Sequence, residues 1–293
     1  MDRVFYIFIV MLGVVGFSLK SIFIKLSYNS GLDFISVMSL RMFFSLPFFI
    51  VAYIFTKKSN VMFNQRKIFI VFLCSLFYFL SSLTDIIGLR YISVALERVI
   101  LFTIPIFVLI IPLFYKRKKL KKDVLFFSVV SWAGVAFSFS EELFQEGGYS
   151  NHVLYGIFLV FISAISYAAF LILSHQGMKE SGAINFTAQV MIFNCIYALF
   201  LLFYYKGEGG YVYSYTLIHY PLLLAIFSTV LPSFFMIIGV KYCGPDKVSI
   251  MNNIGPFLTM LVGFVFLNEV ITIYSIVGLI IVLVSVFFIN TKI

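Results

Sequence analysis

Two stretches decide the fold: GLRYISVALERVILFTIPIF at 88–107 and GVKYCGPDKVSIMNNIGPFL at 239–258. Each opens on glycine, an aliphatic residue, a cation and a tyrosine. Each then reaches a proline fourteen residues after that tyrosine, at Pro105 and Pro256. The offset between them is 151 residues (239 − 88). Without a gap, the same offset lays Gly31 on Gly182, Phe49 on Phe200, Tyr53 on Tyr204 and Ser82 on Ser233. The chain reads as two copies of one unit, residues 1–146 and 147–293.

Composition identifies the solvent around those copies. Of 293 residues, 62% are hydrophobic and 11% charged, whereas soluble domains carry about 25% charged residues. A chain of this length cannot bury that much apolar surface in water. A bilayer-crossing helix needs about 20 largely apolar residues. Cutting at charges and at Gly, Pro and Asn places spans at 4–26, 34–55, 68–88, 94–114 and 124–140, then 153–174, 184–205, 218–240, 247–267 and 271–290. The expected fold is an all-α integral membrane protein: ten transmembrane helices as two five-helix repeats. Five is odd, so the second copy enters the membrane inverted. The run from Val4 contains Lys20 and is read as the first span, not as a removed leader.

Charge placement gives the orientation. The net charge is +9, and the cations cluster at Lys57, Lys58, Arg66 and Lys67 and again across Lys116–Lys122. Such loops stay in the cytoplasm, which puts both termini inside, in the plasma (bacterial inner) membrane. The counterparts of these loops in the second copy are Lys206-Gly-Glu208 and Asn268-Glu269, near neutral and facing outward. No basic domain stands outside the apolar runs, which excludes nucleic acid as a partner. Cys74, Cys195 and Cys243 lie far apart without metal-binding spacing and read as apolar fillers. No metal or cofactor is expected.

On these residues the chain resembles the EamA domains of the drug/metabolite transporter superfamily. The carrying features are a span ending in Gly-(Leu/Val)-(Lys/Arg)-Tyr, a following span with a central proline, an Asn-Glu turn at Asn268-Glu269 and a glycine-containing closing helix. The opening helix, VVGFSLKSIFIKLSYNSG at 14–31, is similar as well. In the first copy the Asn-Glu place reads Arg117-Lys118, a departure from the pattern. The resemblance covers nearly the whole chain. It implies a ten-helix carrier whose cavity is lined by the first, third and fourth helix of each copy. Family members move amino acids, other metabolites, drugs, nucleotide-sugars or nucleoside-like compounds, and many bacterial relatives export.

Ionisable side chains inside spans are costly, about 2.5–3.5 kcal/mol each at a helix centre, and mark interiors or water. Lys20, Arg41 and Asp85 lie within spans; Glu97 and Arg98 open the fourth. Lys20 shares a face with Gly13, Gly16 and Phe17, where the small residues admit either a close helix or a ligand; Lys20 itself lines the site or snorkels. On the third span Cys74, Tyr78, Ser81 or Ser82, and Asp85 recur at three- and four-residue intervals. That stripe needs a wet cavity or interhelical hydrogen bonds. Glu97 and Arg98 are sequence neighbours about 100° apart on a helix, so they are not expected to face each other. A buried Glu97 is the candidate for proton coupling; an ordinary loop-end ion pair is the alternative.

In the second copy Asn252 and Asn253 offer amides suited to a polar or zwitterionic solute, or to helix–helix bonding. Tyr167, in a stripe with Ser163, Phe170 and Ser174, can stack on an aromatic solute. The substrate-binding set is thus Lys20, Tyr78, Ser82, Asp85, Glu97, Arg98, Tyr167, Asn252 and Asn253. His152, His175 and His219 sit near span ends and read as interfacial.

Inverted repeats characterise carriers, whose site lies at the membrane midplane between the copies. The expected function is secondary transport, as export, of a small metabolite such as an amino acid by alternating access. An alternative is uptake or exchange of a nucleoside-type metabolite such as S-adenosylmethionine. A channel is the reading from another class, but no ring of like residues or filter loop is present to support it. No HExxH, GxSxG or phosphate loop occurs, so no enzyme is expected. The partners are a small-molecule substrate, the lipid bilayer and protons as a coupling ion, with the chain a monomer or homodimer.

Overall fold

The structure, a computed structural model, describes residues 3–56, 65–116, 122–145, 151–204, 215–243, 251 and 254–292. No strand occurs among them. The helices are α1 (Arg3–Ser18), α2 (Lys20–Asn29), α3 (Phe34–Thr56), α4 (Gln65–Gly88), α5 (Val94–Leu101), α6 (Ile104–Lys116) and α7 (Lys122–Gln145). There follow α8 (Asn151–Ser181), α9 (Ala183–Tyr204), α10 (Tyr215–Ala225), a π-helical turn Ile226–Val230, α11 (Leu231–Cys243), α12 (Gly255–Leu267) and α13 (Ile273–Lys292).

Among the described residues, the first, fourth and eighth spans are each built from more than one helix. The first runs through Leu19 without a gap in bonding: Leu19 N–H donates to Val15 O and Phe23 N–H to Leu19 O. The fourth breaks at Phe102 and Thr103, just before Pro105, which supplies no N–H for the turn behind it. The eighth carries the π turn between Pro221 and Pro232. Among the described residues, seven helices are long and apolar enough to cross a membrane. Leu125–Ser138, Gly255–Leu267 and Ile273–Phe288 are shorter apolar helices. The chain is a multi-pass helical membrane protein.

One compact unit comprises residues 1–79 and 173–258. Within it α1 packs along α11: Tyr6 stacks on Tyr242 at 4.3 Å, and Gly13 lies beside Phe235 and Met236. Gly16 meets Pro232, and a Cβ there would fall 2.5 Å from the Phe227 carbonyl oxygen. Numbers rise on one helix as they fall on the other, so the pair is antiparallel. The helices α3 and α9 are antiparallel too. Ser39 Oγ donates to Ala198 O (3.2 Å), the Cys195 thiol to Met42 O (3.1 Å) and Asn185 Nδ2 to Thr56 Oγ1 (3.1 Å).

The other unit comprises 80–172 and 259–293. Here α7 and α13 run antiparallel, with Phe127 stacked on Phe288 at 4.9 Å and Phe137 against Tyr274 at 5.3 Å. Gly134 and Gly278 let the two backbones approach, since a Cβ at Gly134 would lie 3.1 Å from Gly278 O. Small residues serve the same end throughout membrane bundles. The end of α4 meets α8 through Gly88 and Gly156 and through Ser81 Oγ and Ser163 Oγ, 3.0 Å apart. Leu96, Val99 and Ile100 of α5 complete a core with Val135, Val160, Leu279 and Val282.

Turns repeat with the sequence. Gly31 (φ 95°) and Gly182 (φ 81°), 151 residues apart, both take the left-handed backbone that closes a helix at low cost in glycine. Asn268 (φ 52°) does so without being glycine. The outward faces are apolar. On α4, Phe69, Phe72, Leu76 and Leu80 are exposed at helical spacing, while Cys74, Ser75, Ser81, Ser82 and Asp85 are buried. That is a helix shaped for lipid outside and polar groups within.

Candidate functional site

The polar stripe expected on the third span is real as geometry. Cys74, Ser81, Ser82 and Asp85 are buried on one face of α4, with Asp85 only 1% exposed, and Tyr78 is half-buried. Part of the stripe bonds between helices, as Ser81 does to Ser163, and Thr84 Oγ1 turns back to Leu80 O at 2.9 Å.

The fourth span begins with a built cap. Ser93 is extended (φ −69°, ψ 158°) and its hydroxyl accepts from Leu96 N–H at 3.0 Å. The first turn then presents Glu97, fully buried, and Arg98, with its side chain 16% exposed. Arg98 Nε lies 3.2 Å from Glu97 Oε2. This corrects the expectation that the two would not face each other: the long Arg98 side chain reaches round the helix to its neighbour. Ser82, Asp85, Glu97, Arg98 and Tyr167 all fall in the second compact unit. Tyr167 is half-buried, its ring 5.5 Å from Phe170.

Lys20 and Tyr78 fall in the first unit. Tyr78 packs with Phe49, Met191 and Val230. The glycine face beside Lys20 is filled by a helix: Gly13 and Gly16 seat α11 and the π turn. Lys20 is half-buried at the start of α2. Asn252 and Asn253 lie outside the described residues.

Two features were not assigned a role from the sequence. Arg41 is among the largest fully buried side chains, and its Nε donates to Thr229 Oγ1 at 2.9 Å. Thr229 Oγ1 in turn donates to Leu224 O at 3.1 Å, spanning the π turn. The available signal was a lone arginine inside an apolar run. Glu269 is the second: both carboxylate oxygens accept from Val94 N–H, at 3.1 Å each. In the first copy the same place reads Lys118, a departure from the Asn-Glu pattern. Among the described residues no three His, Cys, Asp or Glu side chains gather as a metal site. His152 and His219 are exposed, with His152 against Tyr91.

A multi-pass chain, helical among its described residues and with charged groups buried inside its spans, belongs to the class of polytopic membrane proteins. The chain matches the EamA-like transporter family twice, over residues 4–140 and 154–291, and belongs to it. It is 27% identical over 279 residues to the uncharacterized transporter YcbK of Bacillus subtilis, covering 92% of this chain and 87% of that one. It is 23% identical to the uncharacterized transporter YoaV of the same organism, with 95% of each chain covered. An uncharacterized transporter of Archaeoglobus fulgidus is 26% identical over 211 residues, 70% of this chain and 71% of that one. A crystal structure at 11% identity superposes with a TM-score of 0.66 over 99% of this chain and 98% of that one, a likeness of fold.

Proposed function

We propose that the chain is a secondary carrier of ten spans, two inverted five-helix copies, exporting a small metabolite such as an amino acid by alternating access. The observation that carries it is the Glu97–Arg98 pair, a buried carboxylate beside a guanidinium at the start of a membrane helix. Charges held there at a cost of several kcal/mol serve a solute or an ion far more readily than they serve stability. A carboxylate and a cation side by side match the two charges of a zwitterion, and Glu97 is the group to exchange a proton with it.

Inversion is supported by the helix pairs. The helices α3 and α9 are copies at the 151-residue offset, as are α7 and α13, and each pair packs antiparallel. The charge pattern favours cytoplasmic termini in a plasma membrane. The ring pair Tyr167–Phe170 favours a second reading, an aromatic or nucleoside-type solute stacked on Tyr167.

A thermal-shift screen of the purified protein against amino acids, nucleosides and sugar-nucleotides tests the proposal, followed by counterflow in proteoliposomes. At least one solute is expected to raise Tm in the wild type and fail to do so in Asp85→Asn. Its flux should saturate and lose pH-dependence in Glu97→Gln. Single-channel current steps, or no saturable flux for any stabilising solute, would remove the carrier.

A further inference from the structure

We propose that Glu269 is a positioning residue: its carboxylate clamps the first amide of α5 and thereby fixes the turn that carries Glu97 and Arg98. The clamp starts with Asn268, whose left-handed backbone (φ 52°) reverses the chain after α12. Glu269 N–H then returns to Gly263 O at 3.4 Å, and its two carboxylate oxygens meet Val94 N–H at 3.1 Å. Gly263 lies against the same corner, where a Cβ would make ordinary contact, 3.5 Å from Glu269 Oε2 and 3.9 Å from Val94 Cβ, so the clamp does not depend on glycine there.

Two other amides of the first turn of α5 are served locally. Ser93 accepts Leu96 N–H on its hydroxyl and Glu97 N–H on its carbonyl. Val94 N–H takes its acceptor from a residue 175 positions away. An anion at a helix N-terminus is favoured by the dipole as well as by the bond. Glu97 and Arg98 stand three and four residues beyond Val94, on the neighbouring turn of the same side. Whatever holds Val94 therefore sets where that pair points.

The repeat supplies an independent observation. At the 151-residue offset Val94 corresponds to Pro245 (94 + 151) and Glu269 to Lys118 (269 − 151). Proline has no N–H to donate and lysine nothing with which to accept. Donor and acceptor are missing together from the other copy, as expected of two halves of one interaction. An acid kept for loop solubility alone gives no reason for the donor position to change with it.

The link to solute handling rests on the carrier proposed above; the clamp itself does not. The test is therefore chosen to work without a solute. In lipid nanodiscs, hydrogen exchange is followed over residues 90–101, and labelling of Glu97 by dicyclohexylcarbodiimide is read by mass spectrometry. Val94→Pro removes the donor cleanly, because Ser93 already has the extended backbone that precedes proline and the first helical position accepts proline. Val94→Ala keeps the N–H and controls for the side chain.

Glu269→Ala and Val94→Pro are each expected to speed exchange about tenfold, the loss of one charge-assisted bond. Both should change the Glu97 labelling rate by a common factor. The double variant should go no further than either single one, and Glu269→Gln, which retains an acceptor, should stay close to wild type. Additive effects, a silent Val94→Pro or a Glu269→Gln as severe as Glu269→Ala would each overturn the clamp. Should Val94→Pro fail to fold, the Gln–Ala comparison still decides. A clamp that passes while the screen finds no solute leaves the carrier reading to fall alone; a failed clamp beside saturable flux does the reverse.

Discussion

Glycines that look alike in the sequence do different work in the structure. Gly16 is a contact residue: the Cβ of an alanine would sit 2.5 Å from the Phe227 carbonyl, so backbone has to move. Gly31 and Gly182 have open space around them and pay only for a left-handed backbone. Gly16→Ala is therefore expected to destabilise by about 1–3 kcal/mol or more, as overpacking does. Gly31→Ala and Gly182→Ala should each cost about 1 kcal/mol, the strain of a β-carbon at positive φ. Thermal unfolding of the three variants in one detergent checks the order, and a Gly16→Ala milder than Gly31→Ala would contradict the packing described. At this scale the sequence was only partly readable. Residue types and intervals located Asp85, Glu97 and Arg98, but a helical wheel fixes Cα directions, not where a long guanidinium ends, so the Glu97–Arg98 contact was missed. Glu269 was missed for another reason: its partner is a backbone N–H, which carries no residue-type signature.

Helices were the most legible level: among the described residues, seven of the expected spans are helices long and apolar enough to cross a membrane, a length that lipid enforces. The third and fourth spans part at the turn where Arg90 N–H bonds Ile87 O and Tyr91 N–H bonds Gly88 O. The eighth span shows what hydropathy does not carry: a π turn pinned by Thr229 and Arg41. Polar stripes were legible as faces but not as functions. On α4, Ser81 proves to bond Ser163 of α8 at 3.0 Å, with Ser82 and Asp85 on the buried side of the same helix. A double-mutant cycle with Ser81→Ala and Ser163→Ala should return a coupling of about 0.6 kcal/mol and no more than about 1.7, the range for interhelical bonds in lipid. A zero coupling measured by unfolding in lipid would mean that the two hydroxyls find equal partners elsewhere.

For the molecule as a whole, a single hydrogen bond bears on orientation. Val94 opens the fourth span and Lys116 ends its described part, about 33 Å apart at 1.5 Å per residue, enough to cross a bilayer. Glu269 is bonded at the Val94 end, while its repeat counterpart, residue 118, follows the Lys116 end. If the fourth span crosses the membrane, equivalent turns of the two copies emerge on opposite faces, which is what inversion requires. The charges give the same result by a separate route, since the loop at Lys116–Lys122 is strongly basic and the turn at Asn268-Glu269 is not. Reporter fusions or cysteine labelling at 118 and 269 should thus place the first in the cytoplasm and the second outside, with residue 92 reporting the same side as 269. Moving lysines from the 116–122 loop into the 268–272 turn should weaken that preference, because basic residues near span ends resist export. Labelling of 118 and 269 from one side would break the inversion while leaving the helix pairs intact, and would leave alternating access without the symmetry it depends on.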